Sequence, residues 1–407
     1  MSHTPSLESL LRVLPEVPDL VPLREALLGA SLPDPDKLWA SAGHYTTYDK
    51  RVVAPAALVD ALAAGRAAAL EQVERSYRGA GALLAAAATD SAPDVVACLL
   101  EAGAEAEGAG DLDHAAAWYD VAARLSAVLP DRSPLIQALR RLARSRLAAG
   151  AVQEAAVHYG ACLEQATLAD DDDARAIALT GIGNALSFQG AWDEARRHYE
   201  SALDLQPADA TVPRAQLQVN LAMVAREQGR HLEARAWLDE ARRGWSSLSR
   251  VEHSGWHNEA GMLALALEDR VGAERELEAA LDLADGPFTR AMVLDSLAAV
   301  AIAAGQLGTA ESTARRAEQE ALDAGSPRAL AEIYTRLGVI FRLRGDANGV
   351  TFFEKAMELC RRHGYGWLEA VASHEYAAFR NALGDEEEAR AWAARARDLF
   401  EQVSSST

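Results

Sequence analysis

His253 and His257 stand four residues apart, a spacing that puts two imidazoles on one face of a helix, where they could begin a metal site. No cysteine or acidic ligand completes the set, so the pair is expected to be solvated. The four consecutive aspartates Asp170 to Asp173 form the densest acidic run. Calcium would want oxygens alternating around a glycine, whereas a carboxylate run just ahead of a helix is stabilised by the free N–H groups there, and the second reading is preferred. Glu386, Glu387 and Glu388 open a helix in the same way. The chain has no Gly-x4-Gly-Lys-Ser/Thr loop to cradle phosphate, no Gly-x-Ser-x-Gly elbow and no Cys-x2-Cys pair. Cys98, Cys162 and Cys360 are odd in number and far apart, and the expectation is buried free thiols. Catalysis, a metal and a cofactor are therefore not expected. One charged feature stands out: Ser133 to Leu147 carries Arg140, Arg141, Arg144 and Arg146 and no acid, in a chain of formal net charge −20. Arg140 and Arg144 are four apart and share a helix face that could contact an anion.

The elements that would position such residues are legible in Leu179 to Pro207. Leu179, Ile182, Gly183 and Leu186 recur at i, i+3, i+4 and i+7, the apolar stripe of a first helix. Gly190 can take the left-handed conformation that ends it, and Asp193 can accept from the N–H groups opening a second helix. Ala195, Tyr199 and Ala202 form that helix's facing stripe, and Pro207 cannot continue it. Gly183 and Ala202 have almost no side chain, so the helices can approach closely while Tyr199 fills the space beside them.

The hairpin recurs. With the alanine of the second helix as marker, the positions are Ala115, Ala155, Ala195, Ala234, Ala273, Ala310 and Ala389, at intervals of 40, 40, 39, 39, 37 and 79. A turn glycine stands five residues before most of them, as at Gly110, Gly150, Gly190, Gly229, Gly305 and Gly384. Within the long interval, Leu337-Gly338 and Phe341 fit a first helix, Gly345-Asp346 a turn, and Phe353 with Ala356 a second helix. The pattern resembles the tetratricopeptide repeat, Trp-x2-Leu-Gly-x2-Tyr followed by Ala-x3-Phe and Pro, in a long form of about 39 to 40 residues.

That resemblance implies an all-α, right-handed superhelical solenoid, here with about eight repeats over residues 94–402 and a polar tail at 403–407. Residues 1–57 hold seven of the fourteen prolines and are expected to form short helices and turns, with an aromatic polar loop from Trp39 to Tyr48. Residues 58–93 are expected to be capping helices or a degenerate repeat. In such arrays the first helices line the concave groove, with side chains just after, and about three before, the small Gly/Ala projecting into it. Those places are Arg140, Arg144, Asn184, Asn220, Arg226, Asn258, Arg336, Arg342, His374 and Asn381. In family members that hold extended peptides or carboxylate tails, Asn, Lys and Arg there contact backbone and acidic groups. The chain has only three lysines, Lys37, Lys50 and Lys355, and lacks those of the family's carboxylate clamp.

The resemblance thus implies a non-catalytic scaffold or adaptor that binds a protein or peptide in the groove. The alternative is a ligand-responsive sensor controlling an associated effector such as a transcription factor, kinase or ATPase. Net negative charge argues against direct binding to nucleic acid or anionic lipid. Met1 to Leu14 lacks a basic stretch followed by an apolar core, and no run reaches 18 apolar residues, so a cytoplasmic protein is expected. No long polar helix is read after the last repeat, and self-association through its C-terminal edge is one expectation left open by the sequence.

Overall fold

Gly183 and Tyr199 meet as the spacing requires. A Cβ added at Gly183 would lie 2.5 Å from Tyr199 Cε1, so the ring lies directly against the glycine backbone. Tyr199 is fully buried, and Ala195 and Ala202 beside it expose nothing. Gly338 with Phe353, at 2.7 Å, repeats the contact in the irregular hairpin.

The structure, a computed structural model, describes residues 92–405 apart from Val128 and Pro130. The expectations for residues 1–57, the capping helices before residue 92 and the last two residues of the tail lie outside the described residues. Among those described, sixteen α-helices follow one another. The first four hairpins are α1 (Ala92–Gly108) with α2 (Leu112–Ser126), α3 (Ser133–Ala148) with α4 (Val152–Leu168), α5 (Asp172–Gln189) with α6 (Trp192–Leu205), and α7 (Thr211–Glu227) with α8 (His231–Ala241). A 3-10 turn, Arg242–Ser247, leads on to α9 (Arg250–Ala266) with α10 (Arg270–Leu283), and to α11 (Pro287–Ala303) with α12 (Leu307–Asp323). The last two hairpins are α13 (Pro327–Arg344) with α14 (Gly349–His363) and α15 (Gly366–Ala382) with α16 (Glu386–Ser405). Among the described residues no strand interrupts the helices, and their consecutive pairing makes an all-α solenoid. No helix among the described residues is long and apolar enough to cross a membrane.

The turns show why each hairpin reverses. Gly190 sits at φ +81°, and Ala191 N–H donates back to Leu186 C=O at 3.0 Å, so the free carbonyls of α5 are closed off before α6 begins. Asp193 does not cap α6, contrary to expectation. Ala191 holds that position without a side-chain hydrogen bond, and Asp193 falls inside the first turn, where its carboxylate accepts from Gln228 Nε2 at 3.1 Å. Its charge still favours the helix start through the local dipole. Other starts are capped by side chains: Asp111 for α2, Asp269 for α10, and Ser249 with Glu252 as a capping box for α9. Asp171 accepts from Ala174 N–H at 2.9 Å, so the acidic run does open α5.

The described residues fall into two compact units. Of the described residues, one unit holds those from 92 to 146 and 157–174, and the other 147–156 and 175–405. In the first, Tyr119 packs on Gly103 and donates to Glu107 Oε2 at 3.0 Å, while Cys162 is buried beneath Ile136. In the second, each first helix packs on the next, α7 on α9, α9 on α11, α11 on α13 and α13 on α15. The second unit also makes a contact that no repeat pattern announces. Val152 and Ala185 join Ala331, Cys360 and Tyr365 in one buried cluster. Trp192 meets Trp367 edge to face at 5.4 Å, and the Arg328 guanidinium lies 3.8 Å over the Phe188 ring. Early and late hairpins of this unit therefore touch.

Gly183→Leu is expected to lower stability by about 1–3 kcal/mol, because the added side chain must displace the Tyr199 ring. Gly160→Ala, at a helical glycine with open space around it, is expected to be neutral or stabilising. Urea unfolding of both variants measures the difference.

Candidate functional site

On each first helix of the second unit, the positions just around the small Gly/Ala carry polar side chains, and the structure shows where each goes. Asn184 Oδ1 accepts from Tyr199 Oη at 2.7 Å and from Asn220 Nδ2 at 3.4 Å. One amide thus ties its own hairpin together and reaches the next. On α9 the Asn258 Oδ1 is enclosed with no hydrogen-bond partner. An acceptor in that state invites a donor.

The arginines behave differently from the exposed anion-contacting groups the sequence brought to mind. Arg226 Nε reaches Glu259 Oε1 at 2.6 Å and Nη1 reaches Glu227 at 2.8 Å, with only 14% of its side chain exposed and 8% of that of Glu259. Arg336 forms a bidentate pair with Asp295, at 2.9 and 2.6 Å, and Asp295 is 4% exposed. Arg342 pairs with Glu375 at 3.0 Å. Each pair joins neighbouring first helices: α7 to α9, α11 to α13, α13 to α15. His374 and Asn381 are exposed on α15. In the first unit, Arg144 pairs with Glu107 at 2.7 Å and leaves 61% of its side chain in solvent. Arg140 is half-buried near Tyr159, whose hydroxyl is pushed up to about 12 by burial, against the pull of Arg144.

The carboxylates were missed by a reading that looked for donors. A signal was present: Glu259 and Glu375 stand two residues before the small Gly261 and Ala377, the register in which Asn220 precedes Ala222. Arg226 and Arg342 each stand four after theirs. The same register therefore places an arginine on one hairpin opposite a glutamate on the next.

Burial raises the pKa of Glu259, and Arg226 only partly opposes it. For Arg226, burial works against the charge but Glu259 and Glu227 outweigh it, and its pKa is raised. The two shifts pull in opposite senses on the question of whether the pair ionises. Bidentate geometry at 2.6 and 3.3 Å decides for a charged pair at neutral pH. Glu332 is also raised, first by burial, with Asp295 and Glu227 adding to the effect and Arg328 opposing it.

The histidine pair is not solvated, contrary to expectation. His253 stacks on Trp245 at 4.1 Å, and His257 Nδ1 lies 2.8 Å from Glu276. The 3-10 turn after α8 brings Trp245 over α9, which the repeat pattern could not foretell. Burial raises the thiol pKa of Cys162 to about 11 and that of Cys360 further still, which keeps both protonated and unreactive.

With this geometry in hand, the comparisons with known proteins place the chain. Residues 134–208 match the tetratricopeptide repeat family. The Rap protein in complex with Competence and Sporulation Factor superposes with a TM-score of 0.63 at 14% identity, covering 92% of this chain and all of that one. A tetratricopeptide repeat protein from Parabacteroides merdae aligns over 68% of this chain and 98% of its own, at 15% identity and a TM-score of 0.43. No curated protein sequence matches. Residues 134–208 are thus tetratricopeptide repeats by sequence, and the superposition on the Rap protein shows that the chain shares that protein's all-helical repeat fold.

Arg226→Met is expected to lower stability by about 3–5 kcal/mol by leaving Glu259 buried without its partner, and Arg226→Met with Glu259→Leu to restore most of it. Chemical denaturation of the three proteins tests this. Glu332 provides a pH test. An acid whose folded pKa is raised holds its proton better when folded, so its ionisation lowers stability as pH rises from the ordinary value of 4.5 through the raised one. Stability measured at pH 5 and pH 8 should therefore fall more in the wild type than in Glu332→Gln over that interval.

Proposed function

We propose that the chain is a non-catalytic interaction protein that holds an extended segment of a partner protein along the first helices of its second unit. The observation that carries this reading is the row of amides Asn184, Asn220 and Asn258 on successive first helices, the last with an enclosed and unpartnered Oδ1. Side-chain amides offer a donor and an acceptor together, which is what a peptide backbone needs. Packed helices stand about 8–10 Å apart, close to three residues of extended chain at about 3.3 Å each, so successive amides meet backbone groups at a regular interval.

Because Arg226, Arg336 and Arg342 are already neutralised by carboxylates, the ligand is recognised through its backbone and not through an acidic tail. This revises the chemistry that an arginine count alone implies. A second reading, a sensor that controls an associated effector, is favoured by the contact between early and late hairpins at Trp192–Trp367 and Phe188–Arg328. A bound segment that pushed these apart would change the unit's curvature. The Rap neighbour, which holds a factor in its structure, supports considering that reading.

Affinity capture with the intact chain followed by mass spectrometry identifies the partner. Asn220→Ala with Asn258→Ala is expected to abolish its capture while the circular dichroism spectrum stays helical. Arg196→Glu with Arg197→Glu, on the second helix α6, is expected to leave capture intact. If the second-helix pair abolishes capture and the asparagine pair does not, the partner docks on the other face and the proposal fails.

A further inference from the structure

A cavity of about 270 Å3 opens between the later turns of α8, α9 and the start of α10. Its floor is apolar, made by Leu238, Trp256, Ala260 and Leu263. It occurs where the array is irregular: α8 stops after 11 residues, while the other second helices among those described run 14 to 20. It is also a different surface from the amide row, since Asn258 and Ala260 are two residues apart on α9 and so point about 200° from one another.

The charges around this cavity divide into committed and uncommitted groups. Asp269 accepts from Gly272 N–H at 2.9 Å, and Glu276 takes both Arg275, at 2.7 Å, and His257, at 2.8 Å. Arg235, Asp239 and Arg242 have no hydrogen-bond or ion-pair partner among the described residues, although Arg242 lies 5.5 Å from the Trp256 ring. Arg235 stands on α8 and Arg242 seven residues later, at the residue that caps α8 and opens the 3-10 turn, with Asp239 between them. Three arginines and three acids line the cavity, so its formal charge is zero, with Asp269 held at the start of α10 and Glu276 paired with Arg275.

We infer that this cavity binds the C-terminal end of a peptide whose last side chain is apolar. The terminal carboxylate meets Arg235 and Arg242 through charge-assisted hydrogen bonds. The preceding N–H donates to Asp239, which relieves the approach of the two acids, and the side chain lies on Leu238, Leu263 and Trp256. Size supports a chain end and not a larger compound, because the cavity is smaller than the roughly 300–1,000 Å3 of drug-sized sites. Position supports it too, since Arg235 and Arg242 have no carboxylate partner while Glu276 is taken by Arg275 and His257.

Isothermal titration of the full chain with N-acetyl-Ala-Leu, with its C-terminal amide and with octanoate tests the inference. The free acid is expected to bind at least about tenfold more tightly than the amide, as loss of a charge-assisted pair implies, and more tightly than octanoate, which lacks the N–H. Arg235→Gln with Arg242→Gln should abolish the preference for acid over amide without altering the thermal midpoint, since both side chains are exposed. Arg316→Gln, an exposed arginine on α12, should leave it unchanged. Equal binding of acid and amide, no binding of the acid at millimolar concentration, tighter binding of octanoate, or a preserved preference in the double glutamine variant would each overturn the assignment.

Discussion

The contact on which the array depends is an aromatic ring laid against a residue without a side chain. Tyr199 on Gly183, Tyr119 on Gly103 and Phe353 on Gly338 each put a ring where an ordinary side chain would stand. The arrangement lets the two helices of a hairpin approach closely and still leaves no void, as close-packed interiors require. Everything else follows from it at one remove. Hairpins that close tightly present flat apolar sides to one another, and their first helices then line up so that polar side chains from adjacent hairpins come within reach.

That reach explains the Arg226–Glu259, Arg336–Asp295 and Arg342–Glu375 pairs. None lies within a hairpin, and each joins a first helix to the next one along. Buried ion pairs add little net stability compared with apolar packing, but they penalise misalignment heavily, because a shifted hairpin would strand a charge. In a protein whose hairpins are rich in interchangeable alanine and leucine, such pairs supply register. The protein thus keeps apolar contact for cohesion and charge for alignment.

The sequence disclosed the hairpins well because their determinants are local. Gly190, Ala195 and Tyr199 lie within ten residues of one another, and each acts on the turn or helix containing it. What it concealed is non-local. The partners of Arg226 and Arg336 lie 33 and 41 residues away, so the carboxylates that neutralise these arginines stand a whole repeat beyond any local pattern. Of the candidate groove residues, Asn184 and Asn220 do come together, while Arg140 and Arg144 belong to the other unit. His253 and His257 were read without the aromatic turn that covers them, since nothing in a repeat pattern marks an interruption until the chain is seen to bend.

The meeting of Trp192 with Trp367, and of Val152 with Tyr365, bears on how the second unit comes apart. A solenoid with contacts only between neighbours behaves as a one-dimensional chain of coupled blocks, free to fray from either end. A cross-link between early and late blocks makes that chain circular in its energetics. Removing the last hairpin then strips apolar cover from hairpins five places earlier, so the ends are no longer the weakest points. Cooperativity in this unit is accordingly a property of closure, made by contacts such as Val152 with Tyr365 and Trp192 with Trp367 that lie far apart along the chain, the kind that slows folding in general.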